Sequence, residues 1–96
     1  MKFIKVEGKN VCDIKMFALS TCGWCKKTKQ YLKDLGLEFY YIDIDSLEGS
    51  DRDDAEEELA KWYPSLSFPT IVVNNTDCIV GFQPEKILEL KQKNSK

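Results

Sequence analysis

The 96 residues, 43% hydrophobic and 31% charged, suffice for one domain with one core and are too few for two. A net charge of −2, with neither a basic patch nor a basic amphipathic helix, argues against nucleic-acid and membrane-surface roles, and no apolar run is long enough to span a bilayer. The opening stretch alternates Phe3, Ile4 and Val6 with Lys2, Lys5 and Glu7 and holds no apolar run of signal-peptide length, so the chain is expected in the cytoplasm, where thiols stay reduced.

Phe3 to Val6 reads as a short strand, either a hairpin arm or a separate edge strand, and Gly8-Lys9-Asn10 is turn chemistry. A second strand is expected from Val11 to Leu19, with Cys12 in it as a small buried apolar residue. The segment after Cys22-Gly23-Trp24-Cys25 places Tyr31, Leu32 and Leu35 at helical spacing. This predicts a helix capped by Thr21, with Cys22 as its first residue, that runs to Leu35 and stops at Gly36, where Leu37 supplies the closing apolar contact.

Glu38 to Ile44, rich in aromatic and β-branched residues, predicts the next strand, reached by a right-handed parallel crossover. After a loop at 46–50, Ser50 and Asp53 resemble a capping box for a second helix, whose apolar face carries Ala55, Leu59, Trp62 and Tyr63 and which ends at Pro64. An irregular stretch to Pro69 leads into a strand over Thr70 to Val73. Asn74 to Asp77 is hairpin chemistry, Cys78 to Val80 the returning strand, and a last helix starts at Pro84 with Ile87, Leu88 and Leu90 as its apolar contacts. The order is βαβαββα with room for an extra N-terminal strand. It predicts an α/β sheet with helices on both faces and the cysteine pair at the end of the first core strand.

Two cysteines separated by two residues at a helix start are close enough to form a disulfide or to share a metal ion. Zinc usually takes four ligands; the chain has no histidine, and Cys12 and Cys78 stand singly. The pair therefore reads as a working dithiol. Unpaired helix N–H groups favour a thiolate at Cys22, Lys26 and Lys27 add positive charge, and Cys25 lies a turn deeper. Position thus predicts Cys22 as the exposed, lower-pKa nucleophile and Cys25 as the resolving thiol. Lys26, Lys27, Lys29 and Lys33 follow the pair, while Asp51, Asp53, Asp54, Glu56, Glu57 and Glu58 gather further on. These are two solvated helix faces, or the lysines steer an acidic partner toward Cys22.

With this CxxC at a strand-to-helix junction and Phe68-Pro69-Thr70 ahead of the hairpin, the stretch from Asp13 to Lys93 resembles the glutaredoxin branch of the thioredoxin superfamily. The resemblance implies a thioredoxin-like fold with a central mixed four-stranded sheet and three helices. It also implies attack by Cys22, resolution by Cys25 and a cis Phe68–Pro69 bond beside which an extended substrate segment pairs. Glutathione-using members commonly place lysine three residues before the first cysteine and Gly-Gly then Asp near the final helix. Here those places hold Leu19 and Gly81-Phe82-Gln83-Pro84-Glu85, the latter resembling the Gly-Phe-Arg-Pro-Asp stretch of NrdH-redoxins, which behave as thioredoxins. The buried aspartate that thioredoxins place six residues before the first cysteine falls on Met16, leaving no base for Cys25.

The expected function is therefore thiol-disulfide exchange that reduces protein disulfides. Cys22 and Cys25 are the expected catalytic pair, and Thr21, Trp24, Lys26, Phe68, Pro69, Thr70, Gly81 and Phe82 the expected substrate-binding set. Trp24 is either a bare surface aromatic or a flat apolar contact for protein substrate. No tightly bound cofactor is expected; the expected partners are disulfide-containing proteins and a thioredoxin-reductase-type donor, with a monomeric protein. Two alternatives stay open within the resemblance. One is a glutathione-dependent glutaredoxin. The other is a [2Fe-2S] carrier, since some relatives with glycine at the place of Gly23 bind such a cluster with glutathione as a ligand. A third reading, independent of catalysis, is a redox-sensing module whose disulfide changes partner affinity.

Overall fold

A computed structural model describes residues 3–62 and 67–94. Its elements are β1 (Ile4–Val6), β2 (Ile14–Ala18), α1 (Gly23–Asp34), β3 (Phe39–Asp43), a 3-10 turn (Ile44–Ser46), α2 (Gly49–Trp62), β4 (Thr70–Val73), β5 (Asp77–Val80) and α3 (Pro84–Asn94). The strands form one mixed sheet in the order β1-β3-β2-β4-β5. Strands β2 and β3 are parallel, with Phe17 opposite Ile42, as the α1 crossover requires; the other three pairings are antiparallel. The sheet has five strands because the N-terminal segment is a separate edge strand on β3, with Lys5 opposite Tyr40.

Several boundaries differ from expectation because backbone groups find partners outside the ladder. β2 begins at Ile14, not Val11. Lys9 exchanges hydrogen bonds with the Gly36 carbonyl (2.8 Å) and the Glu38 N–H (3.0 Å), and Asp13 pairs through both its N–H and its carbonyl with Asn74. Cys12 therefore lies ahead of the strand and is half-buried. β3 gives way to the 3-10 turn at Ile44. Helix α2 already starts at Gly49, which puts Ser50 inside the first turn and removes the expected capping box. Tyr63 and Pro64, expected to close that helix, lie outside the described residues.

The end of α1 follows the sequence closely. Gly36 adopts φ +73°, its N–H bonds the Lys33 carbonyl at 2.9 Å, and the Leu37 N–H bonds the Leu32 carbonyl at 3.1 Å. A left-handed residue at this point closes the last turn and directs Leu37 back onto Leu32, with both buried. In the β4–β5 connection Asn74 and Asn75 both have positive φ (52° and 56°) and the Thr76 N–H returns to the Val73 carbonyl at 3.1 Å, a turn whose twist suits antiparallel strands.

Strand alternation divides the core into two layers. On one face Ile14, Met16, Ala18, Phe39, Ile71, Val73 and Ile79 pack with Cys25 and Leu32 of α1 and Ile87 of α3. On the other, Phe17, Ile42, Ile44 and Val72 pack with Ala55 and Leu59 of α2, and Trp62 leans on this layer. The first layer ends beneath the start of α1, and that is where the cysteine pair sits.

Candidate active site

The turn before α1 is built differently from its sequence prediction. The Cys22 N–H bonds the Leu19 carbonyl at 3.1 Å, which closes a turn through Ser20 and Thr21 and leaves Thr21 exposed and non-helical. Thr21 is thus not the N-cap. Cys22 itself occupies that position, with extended backbone (φ −81°, ψ 116°), and α1 begins at Gly23. Its sulfur takes the role usually filled by a cap oxygen and accepts the Cys25 N–H at 3.1 Å. Its carbonyl accepts the Lys26 N–H at 3.1 Å, and the Lys26 side chain is exposed.

Cys25, one turn on, is fully buried at 0% exposure, whereas Cys22 is half-exposed at the rim. Burial, and then the hydrogen bond to the Cys22 sulfur, push the Cys25 thiol up to about 12, against the opposing pull of a Leu19 backbone hydrogen bond and the Lys29 charge. One sulfur is therefore reachable from solvent, while the second is held in reserve beneath it as a neutral thiol.

The remaining predicted site residues converge on a shallow groove of about 220 Å³ lined by Trp24, Phe68, Pro69, Gly81 and Phe82. The Phe68–Pro69 bond is cis. Pro69 is buried and its carbonyl accepts the Gly81 N–H at 2.8 Å, so the loops before β4 and after β5 are tied together. Gly81 turns there with φ +82°, a region that L side chains rarely adopt, and delivers Phe82 to the groove. Phe82 stacks on Trp24 (centroids 5.9 Å apart, planes at 26°) and meets Tyr31 edge-on at 5.9 Å. Trp24 is still 58% exposed, and the Lys27 ammonium lies 5.1 Å from its ring centroid. Thr70 lies under this groove, not in its lining: it is fully buried and its hydroxyl donates to the Ser67 carbonyl at 2.7 Å.

Three contacts near the pair were not foreseen from the sequence. The Asp45 carboxylate receives the Ser20 N–H at 2.8 Å and also the Ser20 hydroxyl, pinning the turn before Cys22 to the 3-10 turn after β3. These bonds hold the Asp45 carboxyl below its ordinary range. Thr28 is fully buried and donates to the Trp24 carbonyl at 2.7 Å. Lys29 reaches from α1 to Asp43 of β3 at 3.0 Å. Each links residues that are ordinary alone and lie apart or carry no motif, so no sequence signal pointed to any of them.

The single cysteines stand apart from the pair. Cys12 is half-buried against the first core layer, and burial raises its pKa. Cys78 is half-buried on β5, not a core residue, and faces a groove of about 280 Å³ with Lys86, Glu89 and Leu90. Among the described residues no cluster of three or more cysteine, aspartate or glutamate side chains is placed to share an ion, and no helix is long and apolar enough to cross a membrane.

A mixed sheet with helices on both faces, a CxxC at the helix start and a cis-proline loop beside it define a thioredoxin-fold thiol-disulfide oxidoreductase. The glutaredoxin family model matches residues 14–78, and the chain belongs to the glutaredoxin family. Its structure is similar to that of the glutaredoxin from Methanosarcina mazei Go1, with a TM-score of 0.84 and 40% identity over 100% of this chain and 90% of that one. It is likewise similar to Methanosarcina acetivorans methanoredoxin, with a TM-score of 0.83 and 43% identity over 86% and 87% of the two chains. In sequence it is 32% identical over 80 residues to a glutaredoxin-like 8.6 kDa protein of the rubredoxin operon of Clostridium pasteurianum, which covers 83% of this chain and 99% of that protein.

Proposed function

We propose that the protein reduces disulfides of protein clients, with Cys22 as the attacking thiolate and Cys25 as the resolving thiol. The Cys22 sulfur attacks one client sulfur, the client disulfide breaks, and its second sulfur leaves with the electron pair and takes a proton from solvent. Cys25 then loses its proton and attacks the Cys22 sulfur, the mixed disulfide breaks, and the client departs with two thiols. The Cys22–Cys25 disulfide is left for a reductase of the thioredoxin-reductase type to reset. Such a cycle needs a compartment that keeps the dithiol reduced, as the cytoplasm does.

The observation that carries this reading is the arrangement of one rim sulfur above one buried thiol, linked by the 3.1 Å contact between the Cys25 N–H and the Cys22 sulfur. The groove beside it supports a macromolecular client. Trp24 and Phe82 form a flat apolar shelf next to the cis-Pro69 loop, and Lys27 gives it positive charge.

The deciding experiment uses Cys25→Ser with an oxidised protein substrate, and oxidised wild type with two donors. The variant should accumulate a mixed disulfide through Cys22, visible by non-reducing electrophoresis, and wild type should be reduced quickly by a thioredoxin reductase and slowly by glutathione. Turnover by a Cys22→Ser variant would refute the assignment of the nucleophile. Rapid reduction by glutathione would instead make the protein a glutathione-dependent member of the family.

A further inference from the structure

We propose that Lys29, held in place by Asp43, is the positioning cation that allows Cys25 to give up its proton during resolution. The inference rests on Cys25 acting as the resolving thiol. In the free dithiol, the Cys25 thiol has the Cys22 sulfur as its hydrogen-bond acceptor. That bond holds the proton on Cys25 and is released once Cys22 is engaged in a mixed disulfide, but a thiol with 0% exposure must still ionise without water around it. The Leu19 backbone hydrogen bond favours the anion, and a charged group nearby has to do the rest.

Strand β2 offers none, since Met16, at the position from which a carboxylate would act, is fully buried and apolar. The parallel register supplies one from the neighbouring strand: Met16 lies opposite Tyr41 and Ala18 opposite Asp43. Because alternate residues share a face, Phe39, Tyr41 and Asp43 all project toward α1, and Asp43 is the member nearest the cysteine turn. The Asp43 carboxylate holds the Lys29 ammonium at 3.0 Å, with side-chain exposures of only 18% and 17%. The Tyr41 ring lies beneath the same ammonium, 4.0 Å from it to the centroid.

Lys29 is four residues after Cys25, and such residues are neighbours on one helix face. A surface lysine at that spacing would sweep through solvent and be screened, but this one is fixed from two sides and largely out of water. Its charge acts to favour the Cys25 thiolate. The rest of the surrounding core carries no charge: Met16 and Ala18 of β2, Ile71 and Val73 of β4, Ile79 of β5 and Ile87 of α3 are all apolar. The other titratable groups in that layer are Cys22, Cys12 and the phenols of Tyr31 and Tyr41.

In the resolving step Cys25 loses its proton to solvent and the thiolate forms a bond to the Cys22 sulfur. The bond from Cys22 to the client sulfur breaks, and the client sulfur leaves with the electron pair and is protonated by solvent. The client has then gained two electrons and the cysteine pair has lost two. Lys29 exchanges no proton in this sequence; it lowers the cost of the anion.

Ellman's reagent separates the two steps, because attack by Cys22 and resolution by Cys25 each release one thionitrobenzoate. The first phase depends on reagent concentration and the second does not. Lys29→Met is expected to leave the first phase unchanged, to slow the second about tenfold at pH 7, and to move its pH profile to higher pH, with Lys29→Arg restoring most of the rate. Lys29→Gln serves the same purpose if the methionine variant fails to fold. A second phase whose pH profile is the same in the uncharged variant and in wild type overturns the role of Lys29, whatever the variant's thermal stability. A wild type with no second phase overturns the resolving role of Cys25 itself.

Discussion

Alkylation of the reduced protein with iodoacetamide at pH 7, read site by site by mass spectrometry, tests the difference between the two thiols directly. Cys25 has its pKa moved from 9.0 to about 12, which leaves it with about a thousandfold less thiolate at neutral pH than in the unfolded chain. A more basic thiolate is intrinsically more reactive, and a Brønsted slope of about 0.4–0.5 recovers roughly twentyfold of that loss. The chemical factor that remains is a slowing of about 50-fold relative to the guanidinium-unfolded chain. Full burial adds a steric term of the same sign, so 50-fold is the floor. Cys22, half-exposed at the helix start, should be modified first. Modification of Cys25 in the folded protein within about fivefold of its unfolded rate would refute both the burial and the thiol pairing argued for it.

The same shift predicts a pH dependence of stability. Because Cys25 has a higher pKa folded than unfolded, its contribution is complete below about 9.0 and is lost as pH rises toward about 12. The urea midpoint of the reduced wild type should therefore fall more steeply above pH 9 than that of Cys25→Ala; parallel curves would contradict this. Asp45→Ala should free the turn before Cys22, seen as faster hydrogen exchange at the Ser20 amide with the β2 amides unchanged. Since the Asp45 carboxyl is held below its ordinary 3.8, its stabilisation is present above that pH and lost below it, and the variant should lack that acid-limb component. Leu59→Ala, which empties a fully buried site between α2 and the sheet, should cost about 3 kcal/mol and lower Tm by roughly 12–24 °C. A drop of a few degrees would mean that the second core layer closes around the gap.

Local chemistry explains which features were legible beforehand. The Gly36 stop, the Asn74-Asn75 turn and the dithiol at the head of α1 each depend on residues adjacent in sequence, and all are present. Element ends were less legible, because they depend on competition for backbone hydrogen bonds. Val11 and Cys12 have strand-forming side chains, yet the backbone on either side of them is engaged at Lys9 by Gly36 and Glu38 and at Asp13 by Asn74. Thr21 has the right chemistry for a cap and is displaced because the Leu19–Cys22 turn places the Cys22 sulfur over the Cys25 N–H.

The sequence by itself determined the element order, the two apolar faces and the position of a cysteine pair at a strand-to-helix junction, since all three follow from periodicity and turn residues within short windows. Only the tertiary structure decided which groups act on that pair. The Trp24–Phe82 shelf joins residues far apart along the chain, Asp45 secures a turn on another element, and Lys29 meets Asp43 through the β2–β3 register. Charge and stacking interactions act over a few ångströms in space regardless of separation along the chain, so their partners are chosen when the sheet assembles.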